Sequence, residues 1–170
     1  MLVSLYCSVF CWGGIHANAS ALILAISSPV FAEEPHPLIG NWKLVAYQVI
    51  LDNDPPMDQF GVQPKGYLIL TREGRMAAIL TSDTRTAAKT DPERAELFKS
   101  MLAYSGKYRV EGMDFITTVD ASWNEAWNGT EQRRHYRLEG DKLFIVSAPQ
   151  RSNLFPDKTV VGRLVWEGER

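Results

Sequence analysis

The sequence predicts a mainly β fold, an eight-stranded antiparallel up-and-down barrel with one short helix. Three observations predict it. Between Trp42 and Trp166 apolar residues recur with a period near two, as strands with one buried face require. Clusters of Gly, Asp, Asn and Pro interrupt that rhythm at hairpin-like intervals. Only one stretch, near residue 90, carries the signals of a helix start.

The first run, Trp42 to Leu51, is long and rich in β-formers. Asp52-Asn53-Asp54-Pro55-Pro56 stops it, because proline lacks a ladder donor and Asx residues favour turns. Gly66 to Thr71 and Arg75 to Thr81 flank Arg72-Glu73-Gly74, a hairpin with glycine where a positive φ is expected. The fourth and fifth runs, Gly106 to Val110 and Phe115 to Ala121, join through Glu111-Gly112. The sixth and seventh, Thr130 to Leu138 and Lys142 to Val146, flank Glu139-Gly140-Asp141, and Thr159 to Trp166 is the eighth. Sequential hairpins of this kind close into a barrel and so leave no exposed sheet edge. Thr90-Asp91-Pro92-Glu93 is a capping box with proline in the first turn. Leu97, Phe98, Met101 and Leu102 then share one helical face, suited to packing on the barrel or to serving as a lid over a cavity.

The chain has 170 residues and a formal net charge of −2, which fits one domain and provides no basic face for nucleic acid. From Met1 to Ala32 there is no Lys, Arg, Asp or Glu. The apolar run Ala19 to Ile26, the break at Ser27-Ser28-Pro29 and the small residues of Val30-Phe31-Ala32 match a cleaved export signal. The expected organisation is therefore a signal at 1–32, a polar leader at 33–37 and a barrel domain at 38–168, giving an exported (periplasmic or secreted) protein. An uncleaved N-terminal anchor, the only membrane attachment the sequence suggests, and a mis-chosen start are the competing accounts. Cys7 and Cys11 fall in the segment to be removed, so no disulfide is expected in the mature domain.

Strand parity assigns an interior chemistry. On the sixth run Gln132, Arg134, Tyr136 and Leu138 share one face, while Arg133, His135 and Arg137 share the other. The three cationic or titratable residues belong in water, which turns Arg134 inward. An isolated buried charge costs several kcal/mol, so Arg134 requires a partner. That partner is either an internal carboxylate with tyrosines, or a carboxylate, enolate or carbonyl oxygen of a ligand. Tyr67, Tyr104, Tyr108 and Phe115 are assigned to the same interior, as core or as cavity wall. The candidate ligand-binding set is Tyr67, Tyr104, Tyr108, Gln132, Arg134 and Tyr136. Trp123 and Trp127, in the Ala121–Gly129 loop, either cap a mouth or simply pack. Asp120, Glu125 and Glu131 are expected to be solvated.

His36 and His135 are isolated, and no cysteine remains beside them, so no His/Cys metal set is expected. There is no G-x-S-x-G elbow, phosphate-cradling loop or dinucleotide fingerprint, so no cofactor or catalytic set is assigned. Asn128-Gly129-Thr130 fits a glycosylation sequon.

Four stretches together resemble a known family. Leu38-Ile39-Gly40-Asn41-Trp42-Lys43-Leu44-Val45 opens the domain, and Pro64-Lys65-Gly66-Tyr67-Leu68-Ile69 with Gly74-Arg75-Met76 forms the next hairpin. Gly129-Thr130-Glu131-Gln132 leads to Arg134, Tyr136 and Leu138, and Arg163-Leu164-Val165-Trp166-Glu167 closes the chain. In order and spacing these are similar to the bacterial and fungal lipocalin-like domain proteins. The resemblance implies a small barrel with a cavity for small apolar molecules, and no agreed catalytic set. Gly40-x-Trp42 also resembles the first signature of true lipocalins, which implies that Arg163 lies over Trp42.

Three functions are compatible with this chemistry. The first is an exported barrel that binds a small, partly apolar or amphipathic molecule through Arg134, Gln132 and tyrosines. The second is a cofactor-independent isomerase or cyclase, with Arg134 stabilising an oxyanion and a tyrosine moving the proton. The third is a barrel filled by its own side chains, with a structural or interaction role. An interior void of a few hundred cubic ångströms would separate the first two from the third.

Overall fold

The structure is a computed structural model that describes residues 36–152 and 155–169. The expected signal, and the leader up to residue 35, lie outside the described residues. The strands are β1 (Gly40–Leu51), β2 (Met57–Asp58), β3 (Lys65–Leu70), β4 (Arg75–Thr81), β5 (Met101–Glu111), β6 (Asp114–Ser122), β7 (Glu131–Glu139), β8 (Lys142–Ser147), β9 (Gln150–Ser152) and β10 (Phe155–Glu169). One helix, α1 (Asp91–Lys99), separates β4 from β5, and a 3₁₀ turn at Glu125–Trp127 separates β6 from β7.

The strands run β1-β3-β4-β5-β6-β7-β8-β10, each antiparallel to the next, and β10 pairs back onto β1 from Asn41↔Glu169 to Leu51↔Val160. The barrel is therefore closed by eight strands, as the meander of turns implies. The two additional strands are short: β2 pairs with β1 and β9 with β10.

The two ends differ. At one end lie the tight turns β3–β4, β5–β6 and β7–β8, where Gly74, Gly112 and Gly140 have φ of 78°, 60° and 60°. A positive φ is cheap only for glycine, so these turns fall where the sequence places them. Leu38 is fully buried there, and the Trp42 indole N–H donates to its carbonyl at 2.9 Å. The other end holds the long connections, β1–β3, β4–β5, β6–β7 and β8–β10.

Two β-bulges set what faces inward. In β1, Leu44 pairs with Trp166 while Ala46 pairs with Val165, so Val45 is an extra residue. Trp42 and Leu44 point inward before it, Tyr47 and Val49 after it. A bulge inserts one residue and so reverses the alternation. In β6, Asp120 is the extra residue, since Ser105 pairs with Ala121 and Gly106 with Val119. A Cβ at Gly106 would meet the Thr118 carbonyl oxygen at 2.1 Å, so only glycine permits this approach of β5 to β6.

Three expectations are corrected. The stripe Leu97, Phe98, Met101, Leu102 is not one helical face, because α1 ends at Lys99 and Met101 and Leu102 enter β5 opposite Thr81 and Leu80. The capping box does form, with the Glu93 N–H donating to Thr90 Oγ1 at 3.4 Å and the Thr90 N–H to Glu93 Oε2 at 3.1 Å. No residue of α1 is buried and Phe98 is 54% exposed, so the helix does not dock an apolar face. Arg163 does not lie over Trp42. It pairs with Gln48 on the outer wall, whereas Trp42 pairs with Gly168. Tyr67 is 44% exposed, because Leu68 and Leu70 take the inner positions of β3.

Candidate functional site

β7 contains no bulge, and its alternation is strict: Gln132, Arg134 and Tyr136 are buried, while Arg133, His135 and Arg137 are exposed. Each exposed member has a carboxylate partner. Arg133 Nη1 lies 2.9 Å from Asp114 Oδ2, His135 Nδ1 lies 3.1 Å from Asp114 Oδ1, and Arg137 pairs with Glu139.

Arg134 is only 6% exposed and has no such partner among the described residues. Its Nη1 donates to the Arg133 carbonyl at 3.0 Å and its Nη2 to Gln132 Oε1 at 3.1 Å. Gln132 is held in turn by its own Nε2, which donates to Thr130 Oγ1 at 3.1 Å. The Arg134 guanidinium carbon lies 5.7 Å from the centre of the Trp127 ring, within cation–π range. All these partners are neutral. A buried guanidinium thus keeps its charge uncompensated, the situation in which an interior ion is most costly.

A cavity of about 50 Å³ lies beside Arg134 at the long-connection end, lined also by Tyr47, Tyr104, Trp127, Ser147 and Trp166. Among the described residues, Arg134 is the only charged one in its wall. Trp127 is set by the 3₁₀ turn and meets Tyr104 edge-on at 5.4 Å and Trp123 at 4.9 Å. The loop from Trp123 to Thr130 is tied down by the Trp123 N–H bonded to the Ala103 carbonyl at 2.8 Å. Ser147 Oγ accepts the Gly162 N–H at 2.9 Å, which leaves its own proton available. The Trp166 indole N–H is buried without a partner among the described residues. Such an unpaired donor costs about 1–3 kcal/mol. Burial pushes the Tyr47 phenol up to about 12, against the opposing pull of the Arg134 charge. Tyr47 is therefore a neutral donor at physiological pH and not a base.

The candidate set divides. Arg134 and Tyr104 line the cavity, and Gln132 stands behind Arg134 and fixes its orientation. Tyr108 and Tyr136 face inward but serve the tight-turn end. The Tyr108 hydroxyl donates to the Thr71 carbonyl at 2.9 Å, and the Tyr136 hydroxyl to the Gly112 carbonyl at 3.4 Å. Tyr67 lies outside. Phe115 faces the interior, as parity assigned it, and is both part of the core and of the cavity wall. Tyr47, Ser147 and Trp166 were not assigned from sequence. Tyr47 is hidden by the Val45 bulge, which no residue type in β1 announces. Asp120 and Glu131 pair with Arg75 and Arg109 on the outer surface, and Glu125 is exposed.

The void is smaller than the few hundred cubic ångströms that would mark a small-molecule cavity, so by size alone the interior matches a barrel filled by its own side chains. Most of the interior is filled by side chains, and about 50 Å³ remains open beside Arg134. Among the described residues no group of His, Cys, Asp or Glu is placed to hold a metal ion, and no helix is long and apolar enough to cross a membrane.

A family model described as a lipocalin-like domain matches residues 39–168. No curated protein matches the chain. Among solved structures, one similar chain is an uncharacterized protein from Bacteroides eggerthii, 12% identical, with a TM-score of 0.39, over 77% of this chain and 98% of that one.

Proposed function

We propose that this chain, which belongs to the lipocalin-like domain family, is an exported barrel that binds a small, partly apolar molecule at its long-connection end. The observation that carries the reading is Arg134: a guanidinium 6% exposed, beside a cavity, with no carboxylate partner among the described residues. Leaving such a charge buried lowers stability, and a polar ligand atom placed against it recovers that loss. Leu68, Leu80, Phe115 and Ile145 supply the apolar part of the wall. A cavity this small admits the polar end of a ligand. The remainder lies at the mouth, against Trp127 and Trp123, or displaces that loop.

The test is a titration of tryptophan emission with small amphipathic compounds, because Trp127 and Trp166 both line the cavity. A saturable change, with a rise in Tm at saturating ligand, is expected. A flat response to every compound in the panel would contradict the reading. Export is supported by the uncharged 1–32 segment, and an intact mass of the mature protein that begins at Glu33 is the result expected of protein recovered from its own host. A full-length mass would contradict cleavage.

A further inference from the structure

We infer that the group received beside Arg134 is the carboxylate of a monocarboxylic acid on a slender aliphatic stem; this rests on the binding reading above and narrows it. Three observations converge. The first is polarity. Around the cavity stand the Arg134 guanidinium, the Tyr47, Tyr104 and Ser147 hydroxyls and the Gln150 amide; each can donate and none carries negative charge. Tyr47 and Tyr104 form no side-chain hydrogen bond among the described residues, so both hydroxyls are available to an incoming acceptor.

The second is charge. Among the described residues one cation lines the cavity, and its hydrogen-bond partners there are the Arg133 carbonyl and Gln132 Oε1, both neutral. A single negative charge balances it. A phosphate dianion would be left half-compensated in the same wall, and an alcohol or ester would leave the guanidinium uncompensated. The planar fork of arginine also matches the two oxygens of a carboxylate.

The third is size. A cavity of about 150 Å³ accepts benzene, whereas this one is about 50 Å³. A carboxylate and its first carbons fill it, and the rest of a longer chain extends past Trp127 to the mouth. The apolar wall formed by Leu80, Leu102, Phe115 and Ile145 then covers methylene groups and not further polar atoms.

The experiment titrates tryptophan emission of the full mature chain with butanoate, hexanoate and octanoate, and with the corresponding alcohols, at pH 7.5. Each acid should bind at least tenfold tighter than its alcohol, as expected for a charge-assisted bond in a buried site. The preference should decline as the pH falls through the ligand's own carboxyl range, about 4 to 5. In Arg134→Gln acid and alcohol should bind alike. Should that variant not fold, Tyr47→Phe takes its place, with the acid weakened several-fold and the alcohol affected less. Equal binding of acids and alcohols by the wild type would overturn the carboxylate inference and leave the binding reading standing. Binding of neither class would overturn both. Inorganic phosphate that competes as well as octanoate would make this an inorganic-anion site and overturn the inference too.

Discussion

Arg134 keeps a full charge among neutral partners, and its replacement separates stability from function. In Arg134→Met an aliphatic side chain of similar length fills the same space without the desolvated ion. Such exchanges are often neutral or stabilising. Urea denaturation should therefore show stability unchanged or raised by about 1–2 kcal/mol, while the ligand-induced change in tryptophan emission disappears. Loss of several kcal/mol would mean that Arg134 holds the fold instead. Tyr47 has a signature in alkali. Its folded value near 12 exceeds the ordinary 10, so the folded state holds the proton more tightly. The associated stability is complete below about pH 10 and is lost as the pH rises through about 12. Tyr47→Phe should flatten that part of the pH–stability curve, and an unchanged curve would place the phenol in water. At this scale the sequence exposed Arg134 because β7 alternates without interruption between exposed cations and inward residues. It misplaced Tyr67, since a tyrosine fits either face of a strand and only the neighbouring Leu68 and Leu70 decide. The resemblance to true lipocalins misplaced Arg163, because the β1–β10 register sets what lies across from Trp42.

The elements show where local rules hold and where pairing overrides them. The start of α1 was legible because a capping box is a local device. Its end was not, because β4 recruits Met101 and Leu102 into the ladder despite their helical spacing. With no buried residue, the helix adds little to the barrel. Thr90→Ala should cost about 1 kcal/mol of local helix stability, visible as faster amide exchange at 91–99, with the Tm of the barrel unchanged. A matching fall in Tm would show that helix and barrel unfold together. The Val45 bulge is the opposite case, small in sequence and large in effect. Deleting Val45 restores simple alternation, and either Tyr47 and Val49 leave the interior or the closing register with β10 is lost. The deletion should abolish the cooperative unfolding transition seen by circular dichroism.

At the scale of the molecule, tight glycine turns and the Trp42–Leu38 plug occupy one end, and long connections with the cavity the other. That polarity was implicit in the unequal spacing of turn residues along the chain. The closing register and both bulges became visible only in three dimensions, because they depend on residues far apart in sequence. The outer wall of β5, β6 and β7 carries a chain of ion pairs: Glu131–Arg109 at 2.7 Å, Arg109–Glu111 at 2.9 Å, Glu111–Arg133 at 3.1 Å and Arg133–Asp114 at 2.9 Å. The arginines hold Glu111, Asp114 and Glu131 below the ordinary carboxylate range. Depressed carboxylate values stabilise above the unfolded values, about 4, and that contribution is lost as the pH falls through the folded ones. Tm should decline below about pH 4, and 1 M salt should shrink the decline, since these pairs are exposed and screened. A decline unaffected by salt would place its origin elsewhere.

The most direct test of a ligand held against Arg134 is native mass spectrometry of the protein purified from its own host, alongside Arg134→Gln prepared in the same way. A small-molecule adduct on the wild type that is missing from the variant is the expected result. Bare polypeptide mass in both preparations, or the same adduct on both, would contradict it.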